Sequence, residues 1–138
     1  MEPKALSYLS LARKGGRVEL GEEPVGDAAR AGKAYLIAVA ADASNHTWRR
    51  AKSYAAGTEQ QCVRLPYGKE ELGMAVGRTS LAIAAVTDAA LALALLKALP
   101  QPEKNQPAIE LLETKAQKLK KRQDEAKAHK RNLRRGKK

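Results

Sequence analysis

Residue types that often mark an enzyme or a secreted protein are scarce in this sequence. It contains one cysteine, Cys62, and two histidines, His46 and His129, among 138 residues. A single cysteine cannot form an intramolecular disulfide, and no Cys/His set has the spacing of a zinc site. The histidines lie far apart in the sequence, and no nucleophile, base and oxyanion donor come together around either of them. We therefore expect no metal, no cofactor and no enzymatic activity.

Aromatic residues and long apolar runs are also scarce. Phenylalanine is absent and aromatic residues make up 4% of the chain, so the core must be built mainly from Ala, Leu, Val and Ile. The longest apolar region, residues 81–99, is interrupted by Asp88 and Lys97. These interruptions leave no unbroken run of about 18 apolar residues, the length that spans a bilayer. Because the N-terminus also lacks a secretory signal pattern, we expect a cytoplasmic protein that does not enter a membrane.

Positive charge, by contrast, is abundant and unevenly distributed. The chain has 26 Lys and Arg against 15 Asp and Glu, a net charge of +11. Residues 1–98 hold 13 basic and 10 acidic side chains, whereas residues 99–138 hold 13 basic and 5 acidic ones. This imbalance and the prolines at 100, 102 and 107 predict a folded domain over 1–98, followed by a linker and basic extension over 99–138. A polyanion is the partner that such a charge favours.

The hydrophobic pattern of the first 98 residues alternates between extended and helical segments. It predicts strands at 17–20, 34–40, 62–65 and 81–86, and helices at 6–12, 23–30, 44–54, 69–76 and 89–99. The segments 34–40 and 81–86 are apolar on almost every residue, which is typical of strands covered on both faces. Alternation of this kind predicts an α/β fold, a three-layer α/β/α sandwich with a mixed or parallel sheet.

The basic extension has a helical pattern at its start. Ile109, Leu112, Ala116 and Leu119 fall at helical spacing, and from Lys115 onward there are 12 basic and 2 acidic residues. We expect a helical or disordered arm, with an apolar stripe that packs either on a partner helix or back on the domain. The side chains expected to contact phosphates in this arm are Lys118, Lys120, Lys121, Arg122, Lys130, Arg131, Arg134 and Arg135.

Glycines mark two segments that could approach a ligand closely. Gly21 and Gly32 bound one predicted helix, and Gly73 and Gly77 lie just before a buried strand. A helix N-terminus beside a glycine loop offers backbone N–H groups to a phosphate backbone, although the glycines could equally serve only to make tight turns. The segment is not a phosphate-binding loop of the nucleotide-hydrolase type, because its glycine spacing is one residue short and Arg78 replaces the lysine.

Taken in order, these segments resemble the ribosomal-protein superfamily that binds kink-turn RNA, which includes the L-seven-Ae, L-thirty-e, S-twelve-e and Gadd-forty-five families. The resemblance covers residues 6–98 and is carried by the ranges 9–16, 21–32, 34–40, 42–44, 72–77 and 85–88. It implies an α/β/α sandwich with a mixed four-stranded sheet, in which the N-terminus of the second helix lies beside the loop after the fourth. It also implies an RNA partner, above all ribosomal RNA, together with contacts to ribosomal proteins and a monomer when free.

The residues that the resemblance implies for RNA binding lie around the glycine segments and the first turn. They are Lys14, Arg17, Gly21, Glu22, Glu23, Lys33, Gly77, Arg78, Thr79 and Ser80, with Lys14 and Arg17 expected near the same edge as Gly21. Strong kink-turn binders carry Asn, Glu and Lys where this chain has Glu23, Pro24 and Asp27. Because a carboxylate cannot donate to a base edge and repels phosphate, the familiar grip is weakened. The alternative is a protein-interaction scaffold of the same fold.

Overall fold

A computed structural model describes the backbone of residues 3–135 and the side chains of residues 3–128. The helices are α1 (Lys4–Lys14), α2 (Glu22–Arg30), α3 (Asn45–Ala55), α4 (Lys69–Ala75), α5 (Ala89–Lys97) and α6 (Gln106–Arg135). The strands are β1 (Val18–Leu20), β2 (Leu36–Val39), β3 (Gln61–Arg64) and β4 (Ile83–Val86), and a short 3-10 helix (Pro102–Asn105) precedes α6. Within this part of the chain, none of the helices combines the length and the apolar character that crossing a bilayer requires.

The four strands form one mixed sheet in the order β1-β4-β2-β3. β2 pairs with β3 in parallel, whereas β4 pairs antiparallel with both β1 and β2. Every residue of the two central strands, β2 and β4, is buried. Their uninterrupted apolar sequences are what a strand with helices on both faces requires. The pairing of the four strands confirms the predicted mixed four-stranded sheet.

Helices cover both faces of the sheet. Ile37 and Val39 of β2 pack with residues of α2 and α3, including Val25 and Ala51. The alternate residues of β2, represented by Leu36, face a second cluster that α1, α4, α5 and the start of α6 complete. Successive side chains of a strand point to opposite faces, which divides the core in this way. The predicted α/β/α sandwich is therefore confirmed.

Polar side chains fix the starts of three helices. Ser44 Oγ accepts a hydrogen bond from the Thr47 amide (3.1 Å), and Asp88 Oδ1 accepts one from the Leu91 amide (2.9 Å), so these two side chains cap α3 and α5. Asp42 Oδ1 accepts from the amide of Lys69, the first residue of α4 (2.8 Å). It thereby ties the turn after β2 to the start of a distant helix.

The first turns of α6 pack against the core, and the rest of the helix continues beyond it. Ala108, Ile109 and Leu112 are buried, so this part of the predicted apolar stripe packs back on the domain, while Ala116 and Leu119 are half-buried. Two ion pairs fasten the same region. Lys97 Nζ lies 3.0 Å from Glu113 Oε1, and Lys115 Nζ lies 3.0 Å from Glu59 Oε2. The domain boundary after residue 98 stays a prediction, but the packed core continues to Leu112.

Candidate nucleic-acid interface

Gly21 sets the start of α2 at one end of the sheet. Its amide donates to the carbonyl of Ile83, the first residue of β4 (3.1 Å), and its carbonyl accepts from the Val25 amide in the first turn of α2 (3.0 Å). Its φ of +95° lies in the region that favours glycine. Because β1 and β4 are antiparallel, this arrangement brings the N-terminus of α2 next to the segment that leads into β4.

That segment, the loop after α4, folds tightly back on its own helix. The Arg78 amide donates to the Gly73 carbonyl (2.7 Å), and the Leu81 amide donates to the Lys69 carbonyl (2.9 Å). A Cβ atom added at Gly73 would lie 2.7 Å from the Ser80 nitrogen and 2.8 Å from the Arg78 oxygen, both backbone atoms. Glycine is therefore required at residue 73 by this close approach, and the loop leaves Arg78, Thr79 and Ser80 exposed.

The start of α2 and the loop after α4 meet, as the resemblance implies. A Cβ atom built on Gly21 would lie 4.0 Å from Arg78 Nη1, so the guanidinium group borders the helix N-terminus. We call the residues that converge here the loop surface; they are Gly21, Glu22, Glu23, Gly77, Arg78, Thr79 and Ser80. This surface offers backbone N–H groups, two hydroxyls and one guanidinium group, all of which can contact phosphate or base edges.

Carboxylates lie beside these donors. Glu22 Oε1 accepts from Thr47 Oγ1 (2.7 Å) and Oε2 accepts from Arg50 Nη1 (3.3 Å), so this side chain joins α2 to α3. Glu23 is exposed and lines a cleft of about 450 Å³ together with Asp27 and Lys33. Asp27 is itself paired with Arg30 at 2.6 Å. The flank of the loop surface along α2 is therefore acidic, which disfavours close approach of phosphates.

The remaining basic residues expected on this surface lie elsewhere. The Arg17 carbonyl accepts from the Thr87 amide (2.9 Å), and its guanidinium group pairs with Asp88 Oδ2 (3.1 Å), at the end of β4 opposite Gly21. Lys33 follows the C-terminus of α2 and lies two residues before Tyr35, whose amide donates to the Val86 carbonyl at this same end (2.9 Å). Lys14 lies in the last turn of α1. The expectation that Lys14 and Arg17 share an edge with Gly21 is wrong, because β1 separates Arg17 from Gly21 by roughly 13 Å of extended chain.

Arg17 instead borders α6. It lines a groove of about 950 Å³ between α5 and α6, together with Leu93, Leu119 and Lys120. The arm residues Lys118, Lys120, Lys121 and Arg122 are all exposed on α6. The other four arm residues belong to the same helix, but their side chains lie outside the described residues: Lys130, Arg131, Arg134 and Arg135. The expected residues thus fall into two groups, the loop surface and the cations of α6 with Arg17.

Sequence reasoning missed what Asp42 does for this end of the sheet. By accepting from the Lys69 amide it holds α4 in place, and α4 in turn supports the loop surface. No local pattern could reveal a contact across 27 positions. Among the residues that the structure describes, no three His, Cys, Asp or Glu side chains gather into a group that could hold a metal ion.

Comparison with known proteins identifies relatives of the fold. No protein-family model and no curated protein matches this sequence. A solved structure of a protein of unknown function from Bacillus halodurans is 27% identical, with a TM-score of 0.66 over 70% of this chain and 97% of that one. The 15.5kD RNA binding protein of Giardia lamblia is 18% identical, with a TM-score of 0.61 over 76% of this chain and 87% of that one. The chain therefore shares its fold with an RNA-binding protein.

Proposed function

We propose that this protein is a non-catalytic RNA-binding protein that docks on structured RNA through the loop surface and gains phosphate contacts from α6. The observation that carries the proposal is the position of Arg78 beside Gly21 at the start of α2, in a fold shared with the RNA-binding protein of Giardia lamblia. The loop surface supplies donors of fixed geometry, which suit the recognition of an irregular RNA shape. The exposed cations of α6 supply attraction that does not depend on sequence.

The finer proposal is that the RNA is ribosomal and that its docking site contains a kink-turn. The resemblance of the glycine segments to kink-turn binders supports it. Glu23 and Asp27 oppose it, because both are exposed carboxylates on the first turns of α2. We therefore propose that Arg78 and the backbone of the loop provide the docking, and that α6 compensates for the affinity lost at α2.

The test measures binding of the full-length protein to a kink-turn RNA and to an unkinked duplex of equal length across a salt series. We expect preference for the kinked RNA and a fall in affinity of about one power of salt concentration per phosphate contact. Arg78→Gln should weaken binding of the kinked RNA about tenfold, because a charge-assisted hydrogen bond is lost. Arg13→Gln, which removes an exposed charge from α1, is the matched control. Equal binding of both RNAs, with no effect of Arg78→Gln, would contradict specific docking at the loop surface and would indicate only the non-specific attraction of a polycation to RNA.

A second candidate function, a protein-interaction scaffold, is favoured by the groove between α5 and α6. Ala116 and Leu119 line it without being buried by the domain. A partner helix that covers them would be held directly rather than through RNA. Nuclease treatment of the co-purified material discriminates the two functions, because an RNA-mediated partner is released and a directly bound one remains.

A further inference from the structure

A cluster of cations surrounds the only tryptophan of the chain, at a place that the proposed function does not use. Trp48 lies on α3 and is half-buried. The Arg64 guanidinium carbon, at the end of β3, lies 4.7 Å from the centroid of its ring. Lys52 Nζ, one helical turn beyond Trp48, lies 5.4 Å from the same centroid. Both distances are within the range of a cation–π contact.

The fold dictates this meeting of side chains. Residues four apart on a helix are neighbours, which places Lys52 over Trp48. Cys62 and Arg64 are two apart on β3 and so face the same side of the sheet, and Cys62 packs with Trp48 in the cluster beneath α2 and α3. β3 is one of the two edge strands of the sheet. Its end and the exposed face of α3 therefore form one continuous surface.

The charge of this surface is positive. The helix α3 carries Arg49, Arg50 and Lys52 and no acidic residue. Arg50 is paired with Glu22, but in the part of the chain that the structure describes no ion pair engages Arg49, Lys52 or Arg64. Burial raises the pKa of the Cys62 thiol to about 11 against the opposing effect of Lys52 and Arg64, so the thiol stays neutral at physiological pH and offsets none of this charge.

We propose that Trp48, Arg49, Lys52 and Arg64 form a second RNA-contact surface that takes an unpaired nucleotide. An extruded base stacks on the guanidinium plane that Arg64 holds against Trp48, while Arg49 and Lys52 contact the neighbouring phosphates. Arginine planes and aromatic rings are common platforms for unstacked bases, and such stacking is tolerant of sequence. A flat cationic platform fits a base with its phosphate better than it fits the isolated carboxylates of an acidic peptide.

The position of this surface connects it to the loop surface. Glu22, at the start of α2, accepts hydrogen bonds from Thr47 and Arg50 of α3. The two surfaces therefore lie on either side of the contact between α2 and α3. An RNA held at the loop surface can therefore continue as a single strand across α3. The inference rests on the proposed function and deepens it, since it names single-stranded RNA beside the structured element as part of the ligand.

The test uses the fluorescence of the sole tryptophan in the full-length protein. The probes are an adenosine 12-mer RNA and a ribose-phosphate 12-mer that lacks bases, each labelled so that anisotropy reports binding independently. Lys52→Gln/Arg64→Gln removes both cations that contact Trp48. Arg13→Gln/Lys104→Gln is the matched control, since it removes one Arg and one Lys from exposed positions on the other side of the sheet. Circular dichroism establishes that each variant is folded.

We expect the adenosine 12-mer to quench Trp48 saturably and the abasic 12-mer to bind more weakly without quenching. The Lys52/Arg64 variant should bind the adenosine 12-mer about tenfold more weakly, while the Arg13/Lys104 variant keeps the quenching. If anisotropy shows binding but Trp48 emission and the Lys52/Arg64 affinity do not change, the second surface is overturned and the proposed function stands. If neither 12-mer is bound while the kink-turn RNA is, the second surface is overturned and the proposed function stands; if the kink-turn RNA is not bound either, the proposed function itself fails. Quenching by an acidic peptide but not by RNA would also overturn the inference.

Discussion

The two parts of α6 have opposite roles although they belong to one continuous helix. At its start, Ala108, Ile109 and Leu112 are buried in the core that lies on the α1 side of the sheet. From residue 121 to residue 128 every side chain is exposed. The helix therefore changes from a packing element to a solvent-facing one within about three turns.

In this chain the boundary in composition does not coincide with a boundary in packing. Net charge changes sharply near residue 98, but the core continues to Leu112 and is fastened by the pair of Lys97 with Glu113. A cationic arm that is anchored in this way presents its charges from a fixed base. Variants in the two parts should consequently separate stability from RNA affinity.

The largest effect is expected at the anchor. Leu112 is 0% exposed, so Leu112→Ala should lower the free energy of unfolding by about 2–5 kcal/mol through lost contacts and a residual cavity. Urea denaturation monitored by circular dichroism measures the change. Leu119→Ala, on the same helix but half-buried, is the control and should cost less than about 1 kcal/mol. Equal losses at the two positions would contradict the division of α6.

The second-largest effect is expected at Gly73, which shapes the loop surface. Gly73→Ala places a methyl group against the backbone of Arg78 and Ser80 and should cost about 1–3 kcal/mol of stability through overpacking. It should also abolish the preference for kinked RNA while the salt dependence set by α6 is unchanged. Gly16→Asn is the control, because asparagine tolerates the φ of +68° at that position and Gly16 lies outside the loop surface. Preserved RNA preference in Gly73→Ala would show that the loop geometry is not used.

A smaller effect is expected from the exposed part of α6. Replacing Lys118, Lys121 and Arg122 by Gln should leave the urea midpoint unchanged and weaken RNA binding about tenfold at low salt. The slope of log affinity against log salt should fall by about three, since each phosphate contact contributes about one power of salt concentration. Filter binding across a salt series measures both quantities. A changed urea midpoint would mean that this part of α6 also supports the fold.

The smallest effect should come from the ion pair at the junction of the two parts. Lys97 and Glu113 are 3.0 Å apart, and their side chains are 53% and 40% exposed. Lys97→Gln should therefore cost only about 0.2–1 kcal/mol, which double-mutant analysis with Glu113→Gln isolates. A coupling above that range would contradict the small contribution expected of an exposed ion pair.

Much of the fold could be predicted from local patterns. The apolar runs of β2 and β4 require two covered faces, and the caps Ser44 and Asp88 lie immediately before helices that their side chains begin. Gly21 was recognisable because it lies directly before a helix and has a positive φ, and Gly73 because the chain turns back against it within seven residues. In each case the physical cause acts within a few residues of the signal, so a single sequence carries it.

The parts that escaped prediction depend on the order of the strands. The antiparallel pairing of β1 with β4 places Arg17 beside Asp88 and Gly21 beside Ile83, at opposite ends of the sheet. Nothing within residues 17–21 indicates that pairing. The contact of Arg64 with Trp48 likewise requires β3 to lie next to β2 under α3. Side chains from separate elements meet only after the topology is known.

Because α6 is a helix, it holds its charges at a fixed distance and direction from the domain, which a flexible tail of the same composition would not do. A helix rises about 1.5 Å per residue, so the 23 residues from Leu112 to Arg135 extend roughly 35 Å from the anchor. A coil of that length would sample many directions, whereas an anchored helix has one. Under the proposed function, the orientation of the RNA footprint relative to the domain would be set by how Leu112 is seated, so that a core leucine would determine where distant phosphates are bound.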